Sequence, residues 1–287
     1  MRATRLTDRV THHGEGPVWS PGWRGVRWVD MMAGAIGELD ADGTVHRREV
    51  GDKVAAVVRP RTRGGWLVAR EHDVAVTESV ALDAPLRPLV SVLDDDAVRL
   101  NEGGCSPAGD FYIGSMGYGA PVGAGDLSRI RPDGTVSVVV PEVTISNGLD
   151  WSPDGSRAYY VDTRTDRIDV FDSDPEHGLV NRRPFVEITD TPGHPDGLCV
   201  DSAGGVWVAL FGGSAVRHYD ADGTLDQVIE VDARQVTAVT TGGPDLTTLF
   251  ITTSREGLTD DRDDPAAGSL FTAEAGTPGQ PVRAFAG

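Results

Sequence analysis

The sequence predicts an all-β protein, a six-bladed β-propeller with four antiparallel strands per blade. Three observations point there. A turn followed by a short apolar strand recurs six times, at starts spaced by roughly 40–50 residues, the length of one propeller blade. Of 287 residues, 36 are glycine and 18 proline, a density of turn formers that suits many short strands. No segment carries a sustained helical apolar period.

In chain order the copies are 20–30 (SPGWRGVRWVD), 59–70 (RPRTRGGWLVAR), 106–115 (SPAGDFYIGS), 152–162 (SPDGSRAYYVD), 201–210 (DSAGGVWVAL) and 243–253 (GPDLTTLFITT). Each opens with a proline- or glycine-containing turn and continues with aromatic and β-branched residues in alternation. A second piece, Asp-Gly at the head of a strand, recurs at 40–45 (DADGTV), 131–136 (RPDGTV) and 220–225 (DADGTL). These segments lack the later bidentate Glu of a calcium loop, so they read as hairpin turns. The run at 268–272 (GSLFT) repeats the strand that precedes such a turn, as 125–130 (GDLSRI) does. No linker interrupts the repeats, and residues 1–287 form one propeller domain. The acidic stretch 259–268 (TDDRDDPAAG) reads as a solvated loop, with a lid over the channel as the sharper alternative.

The net charge of −18 argues against a nucleic-acid partner, because neutralising phosphates needs a basic face. No stretch of eighteen apolar residues offers a membrane helix. The first residues (MRATRLTDRVTHHGEGP) lack the apolar core of a secretion signal, so a cytoplasmic protein is expected. Cys105 and Cys199 fit a reducing compartment without a disulfide framework, as small buried residues rather than a catalytic thiol. A monomer or weak oligomer is expected.

Aligning the repeats on their turns brings out the candidate site. Five residues before the turn stand Glu15, Asn101, Asn147 and Asp196 in the first, third, fourth and fifth units. The second unit has Val54 there, and in the sixth the position falls near Thr237. Glycine follows three of the four, as Gly16, Gly148 and Gly197, and it would let the backbone approach closely or adopt positive φ. Rotation about the ring axis would bring the four side chains to one height at the channel mouth. Two carboxylates and two amides gathered there call for a cation. With oxygen donors throughout, a hard divalent ion suits best, Ca²⁺ first, with Mg²⁺, Mn²⁺ and Zn²⁺ also compatible.

The same segments resemble the senescence marker protein, regucalcin and gluconolactonase family. The matching motifs are GEGPVW at 14–19, RLNEG at 99–103, SNGLDWSPDG at 146–155, PDGLCVD at 195–201 and the closing GSLFT. The resemblance runs in order over nearly the whole chain. It implies a six-bladed propeller holding one divalent ion, with Glu15, Asn147 and Asp196 as its protein ligands. It also implies that Arg99 and Asn101 contact the substrate, Asn101 lying beside the metal or its water, and Glu102 is placed with them. The implied reaction is hydrolysis of a sugar lactone. The metal would polarise the carbonyl, Asp196 would take the proton from the attacking water, and Arg99 would hold a substrate oxygen.

Three departures bear on the substrate. Where family members often carry an acid that contacts sugar hydroxyls, residues 119–124 read GAPVGA; Ser128 stands where many have tyrosine, and Glu102 where several have Asp. The ligand set is therefore expected intact and the sugar-reading wall altered. An aryl-esterase or phosphotriesterase on the same scaffold, or a non-enzymatic calcium-binding regulatory protein, are the alternatives. His194, two residues before Asp196, is a candidate for proton transfer, and His12 and His13 lie near Glu15. No nucleophile-elbow G-x-S-x-G, HExxH or phosphate-binding GKS/GKT motif is present.

Overall fold

The computed structural model describes residues 1–260 and 262–287. Asp261 of the acidic stretch lies outside the described residues. Six four-stranded antiparallel sheets are arranged as the blades of a propeller. Their first strands, Gly14–Trp19, Ala55–Pro60, Val98–Cys105, Ser146–Trp151, His194–Val200 and Val236–Gly242, pack beside one another around the axis. Each repeated turn-and-strand segment of the sequence is the hairpin from an inner strand to the second strand of its blade.

The core sits between the faces of neighbouring blades. Tyr159 and Val161 of the fourth blade cluster with Val206 and Val208 of the fifth. Trp207 and Ala209 cluster in turn with Val239 and Ile251 of the sixth. Trp28, Trp66 and Trp207 of the repeated strand and Trp151 of an inner strand are fully buried, a large apolar payload in four of the six blades. The Asp-Gly segments are turns, as expected: Asp40 Oδ1 accepts from the backbone N–H of Asp42 (3.0 Å) and Thr44 (2.9 Å). Asp220 does the same for Asp222 and Thr224.

The two chain ends complete the ring in ways the repeats did not announce. Thr4–Arg5 pairs antiparallel with Phe271–Glu274, so the sixth blade takes its outermost strand from the N-terminus. Beyond Glu274 the chain crosses the hairpin end of the channel. Gln280 Nε2 donates to the carbonyls of Trp151 (2.9 Å) and Val200 (3.1 Å), and Arg283 Nη2 donates to Ser152 O (2.8 Å). Phe285 is fully buried, and Arg61 Nε donates to Gly287 O (2.7 Å). No helix among the described residues is long and apolar enough to cross a membrane.

Candidate active site

All six inner strands break register near their entry, and the site is built on those breaks. Pairing jumps from Glu15 to Val18, from Leu100 to Gly103, from Ser146 to Leu149 and from Pro195 to Leu198. In the other two strands it skips Ala56 and Thr237. The second blade's irregularity therefore falls at Ala56 rather than at Val54. A bulge bends its strand and re-aims a side chain. Here it turns Glu15, Asn101, Asn147 and Asp196 toward the axis, where they line a cavity of about 250 Å³ together with Arg99. The glycines act as anticipated by both routes. Gly16 has φ +50°, while a Cβ on Gly148 would meet Leu198 N at 2.5 Å and one on Gly197 would meet Ala238 Cβ at 2.4 Å.

Hydrogen bonds sort the donors. Asn147 Nδ2 donates to Thr163 Oγ1 (2.8 Å), which leaves Oδ1 facing a single long contact of 3.4 Å from Asn101 Nδ2. Asn101 is more committed: its Nδ2 donates to Ser146 O (2.8 Å) and its Oδ1 accepts from Arg99 Nη1 (2.6 Å). Glu15 Oε2 accepts from Gly16 N–H (3.1 Å). Asp196 Oδ1 is buried without a hydrogen-bond partner, a costly state for a carboxylate oxygen. These five side chains are only 3–7% exposed, too dry for water to neutralise two carboxylates.

The electrostatics follow. Burial, reinforced by the neighbouring carboxylates, pushes the carboxyls of both Glu15 and Asp196 well above their ordinary range. A hard divalent cation would remove that cost and give Asp196 Oδ1 a partner. Glu15, Asn147 and Asp196 therefore fit such an ion. The donor set is mixed, since no three acidic, histidine or cysteine side chains gather into a metal cluster among the described residues.

Two carboxylates hold the loops that lead into the site. Asp30 Oδ1 accepts from the N–H of His12 (2.9 Å) and His13 (3.0 Å), three and two residues before Glu15. Asp162 accepts from the N–H of Thr144 and Ile145, both at 3.0 Å, three and two residues before Asn147. The repeated Val-Asp at the end of the second strand is the sequence trace of this device.

Not every expected residue joins the cavity. Glu102 lies close enough to Glu15 and Asp196 to help raise both their carboxyls, yet it lines a separate cavity of about 70 Å³. There its Oε1 accepts from Arg59 Nη2 (3.2 Å). His194 is exposed and its Nδ1 is hydrogen-bonded with Asp166 Oδ1, away from the cavity lining. Ser128 is likewise absent from that lining, whereas Gly119 and Ala120 contribute to it. Cys105 and Cys199 are free and line the internal cavity. Burial pushes the Cys105 thiol up to about 12 and raises that of Cys199 as well, so neither forms a thiolate at neutral pH.

His13, named in the sequence beside Glu15, lines the cavity, and the structure adds Glu256, Thr163, Met116, Ile145 and Phe211 to its wall. His13 Nδ1 lies 2.7 Å from Ser254 Oγ and 3.3 Å from Glu256 Oε2. Burial lowers its pKa to about 4, which keeps the ring neutral at pH 7.

Fold and site together define a six-bladed propeller with an open, oxygen-donor pocket at one end of its axis. The chain belongs to the SMP-30/gluconolactonase/LRE-like family, whose model matches residues 13–255. It is 34% identical over 288 residues to the pentonolactonase of Haloferax volcanii, covering 98% of this chain and 97% of that one. It is 32% identical over 292 residues to the L-arabinolactonase of Azospirillum brasilense, covering 100% and 96%. Among solved structures, the calcium-binding protein regucalcin from Agrobacterium tumefaciens superposes with a TM-score of 0.91 at 27% identity, covering 99% and 97% of the two chains.

Proposed function

We propose that the protein is a metal-dependent hydrolase that opens sugar lactones. The observation that carries this is the unpartnered, buried Oδ1 of Asp196 beside Glu15 and Asn147 in an open cavity. Relatives covering the whole chain are a pentonolactonase and an L-arabinolactonase. A divalent ion held by Glu15, Asn147 and Asp196 would supply positive charge where the carbonyl oxygen becomes negative.

The chain's own groups do the rest. Asp196 takes a proton from water as the water oxygen bonds to the carbonyl carbon. The ring C–O bond then breaks, and the departing oxygen takes the proton back from Asp196 to become the hydroxyl of the open hydroxy acid. Arg99 is fixed by Asn101 Oδ1 and Leu100 O (3.1 Å), so its guanidinium is held ready to bind an oxygen of the ring or its substituents. Asn101, locked between Arg99 and Ser146 O, positions that guanidinium and the neighbouring Asn147.

The test is acid release in a pH-stat from pentono- and hexonolactones, with and without a chelator. Turnover that stops on chelation and returns with added Ca²⁺, Mg²⁺ or Mn²⁺ is expected. Absence of acid release from every lactone by protein carrying its cation would refute the assignment.

A further inference from the structure

Taking the pocket as the lactone-opening site proposed above, we infer that it selects a lactone with an apolar edge. Such a substrate bears a methyl or unsubstituted carbon where a fully hydroxylated sugar lactone bears its terminal CH₂OH.

The wall carries two kinds of side chain. Asn101, Asn147 and Asp196 bring polar groups from the third, fourth and fifth blades, beside His13, Glu15 and Glu256 from the first and sixth. The third to fifth blades also present an apolar arc of Met116, Ala120, Ile145 and Phe211, all half-buried. This arc is fixed in place by its backbone. Met116 and Ile145 are bridged antiparallel across the seam between the third and fourth blades, and Phe211 is bridged to Gln235 across the seam between the fifth and sixth. Thr163 and Asn147, the polar groups nearest this arc in sequence, are already hydrogen-bonded to each other. A hydroxyl pushed against these side chains gives up its water without a partner in return, whereas a methyl group leaves water favourably.

Matched substrates that differ only at C6 test this: L-rhamnono- against L-mannono-1,4-lactone, and L-fucono- against L-galactono-1,4-lactone, each as kcat/KM in a pH-stat. The deoxy member of each pair is expected to be favoured by about tenfold or more, the size of a methyl-sized difference in an apolar pocket. Met116→Gln, close in shape but polar, should bring the ratio to within about threefold of parity, and Ile145→Thr should shift it the same way from the neighbouring blade. Parity or preference for the hydroxylated member overturns the inference and leaves the lactonase assignment standing. So does an unchanged ratio in both variants, or failure of all four lactones while a pentonolactone is cleaved. Failure of every lactone overturns both.

Discussion

The two ends of the channel are built from the same six strands and differ in almost every other respect. At the entry end the strands bulge, and their side chains are acids, amides and an arginine facing an open cavity. At the hairpin end the register is regular, the lining mixes Cys105, Leu149 and Leu198 with the charged Arg59, Glu102 and Asp150, and residues 280–283 help cover a small cavity. One end forgoes backbone pairing to aim acids and amides at an open cavity; the other is covered by the C-terminal segment through hydrogen bonds to carbonyls of the fourth and fifth blades. Stability and chemistry are thus assigned to opposite ends of the same strands, so each should be breakable with little effect on the other.

The largest expected effect breaks the chemical end. Asp196→Asn should lower kcat by about 100-fold or more in pH-stat assays, the usual loss for a general base, while the melting temperature of the cation-free protein does not fall. An amide in place of a carboxylate that burial disfavours costs the fold nothing. Next, Phe285→Ala breaks the sealed end. Removing a fully buried phenylalanine should destabilise the protein by about 3–5 kcal/mol in urea unfolding, with cation affinity of the folded protein unchanged.

A finer test asks whether the loop anchors belong to the chemistry or to the fold. Asp162→Ala frees the Thr144 and Ile145 N–H groups. It should weaken cation binding by about 10–100-fold in calorimetric titration, as loss of a group that orients a ligand does. Restoring the acceptor as Asp162→Asn should recover part of that affinity, which loss of general stability would not predict.

The smallest effect lies away from both ends, on the fifth blade. His218 stacks on Trp207 with ring centroids 4.4 Å apart, and its Nε2 lies 2.9 Å from Asp201 Oδ2. Burial opposes the imidazolium, but hydrogen bonds to Asp201 and Asp226 prevail and raise its pKa. Because the folded value is raised, the pair's stabilisation is complete below the unfolded value of about 6.5 and is lost as pH rises through the folded value. His218→Gln should therefore flatten the decline of stability from pH 6 upward, measured by urea midpoints across that range.

Much of this was legible because a propeller writes its geometry periodically. A turn such as SPDGSRAYYVD fixes where its inner strand ends, and counting back five residues reaches Glu15, Asn101, Asn147 and Asp196 without any knowledge of the third dimension. The count says nothing of Glu102, which the family resemblance set beside Asn101. A bulge leaves two successive residues unpaired, and it sent Asn101 to one cavity and Glu102 to the other. Glu256 escaped notice because ring closure, not sequence proximity, brings residue 256 beside residue 13. The two-residue strand Thr4–Arg5 is too short to carry an alternating pattern. The tail PVRAFAG has no period, and its role depends on carbonyls of the fourth and fifth blades and on the second-blade residue Arg61.

The central claim is that Glu15, Asn147 and Asp196 hold a divalent cation independently of the sealed end. Equilibrium dialysis against Ca²⁺ measures it directly, on wild type, Asp196→Ala and Phe285→Ala. The expected result is one ion per chain for wild type and Phe285→Ala, and none for Asp196→Ala at the same free concentration. Equal binding by Asp196→Ala and wild type, or no binding by wild type to Ca²⁺, Mg²⁺ or Mn²⁺, would contradict it.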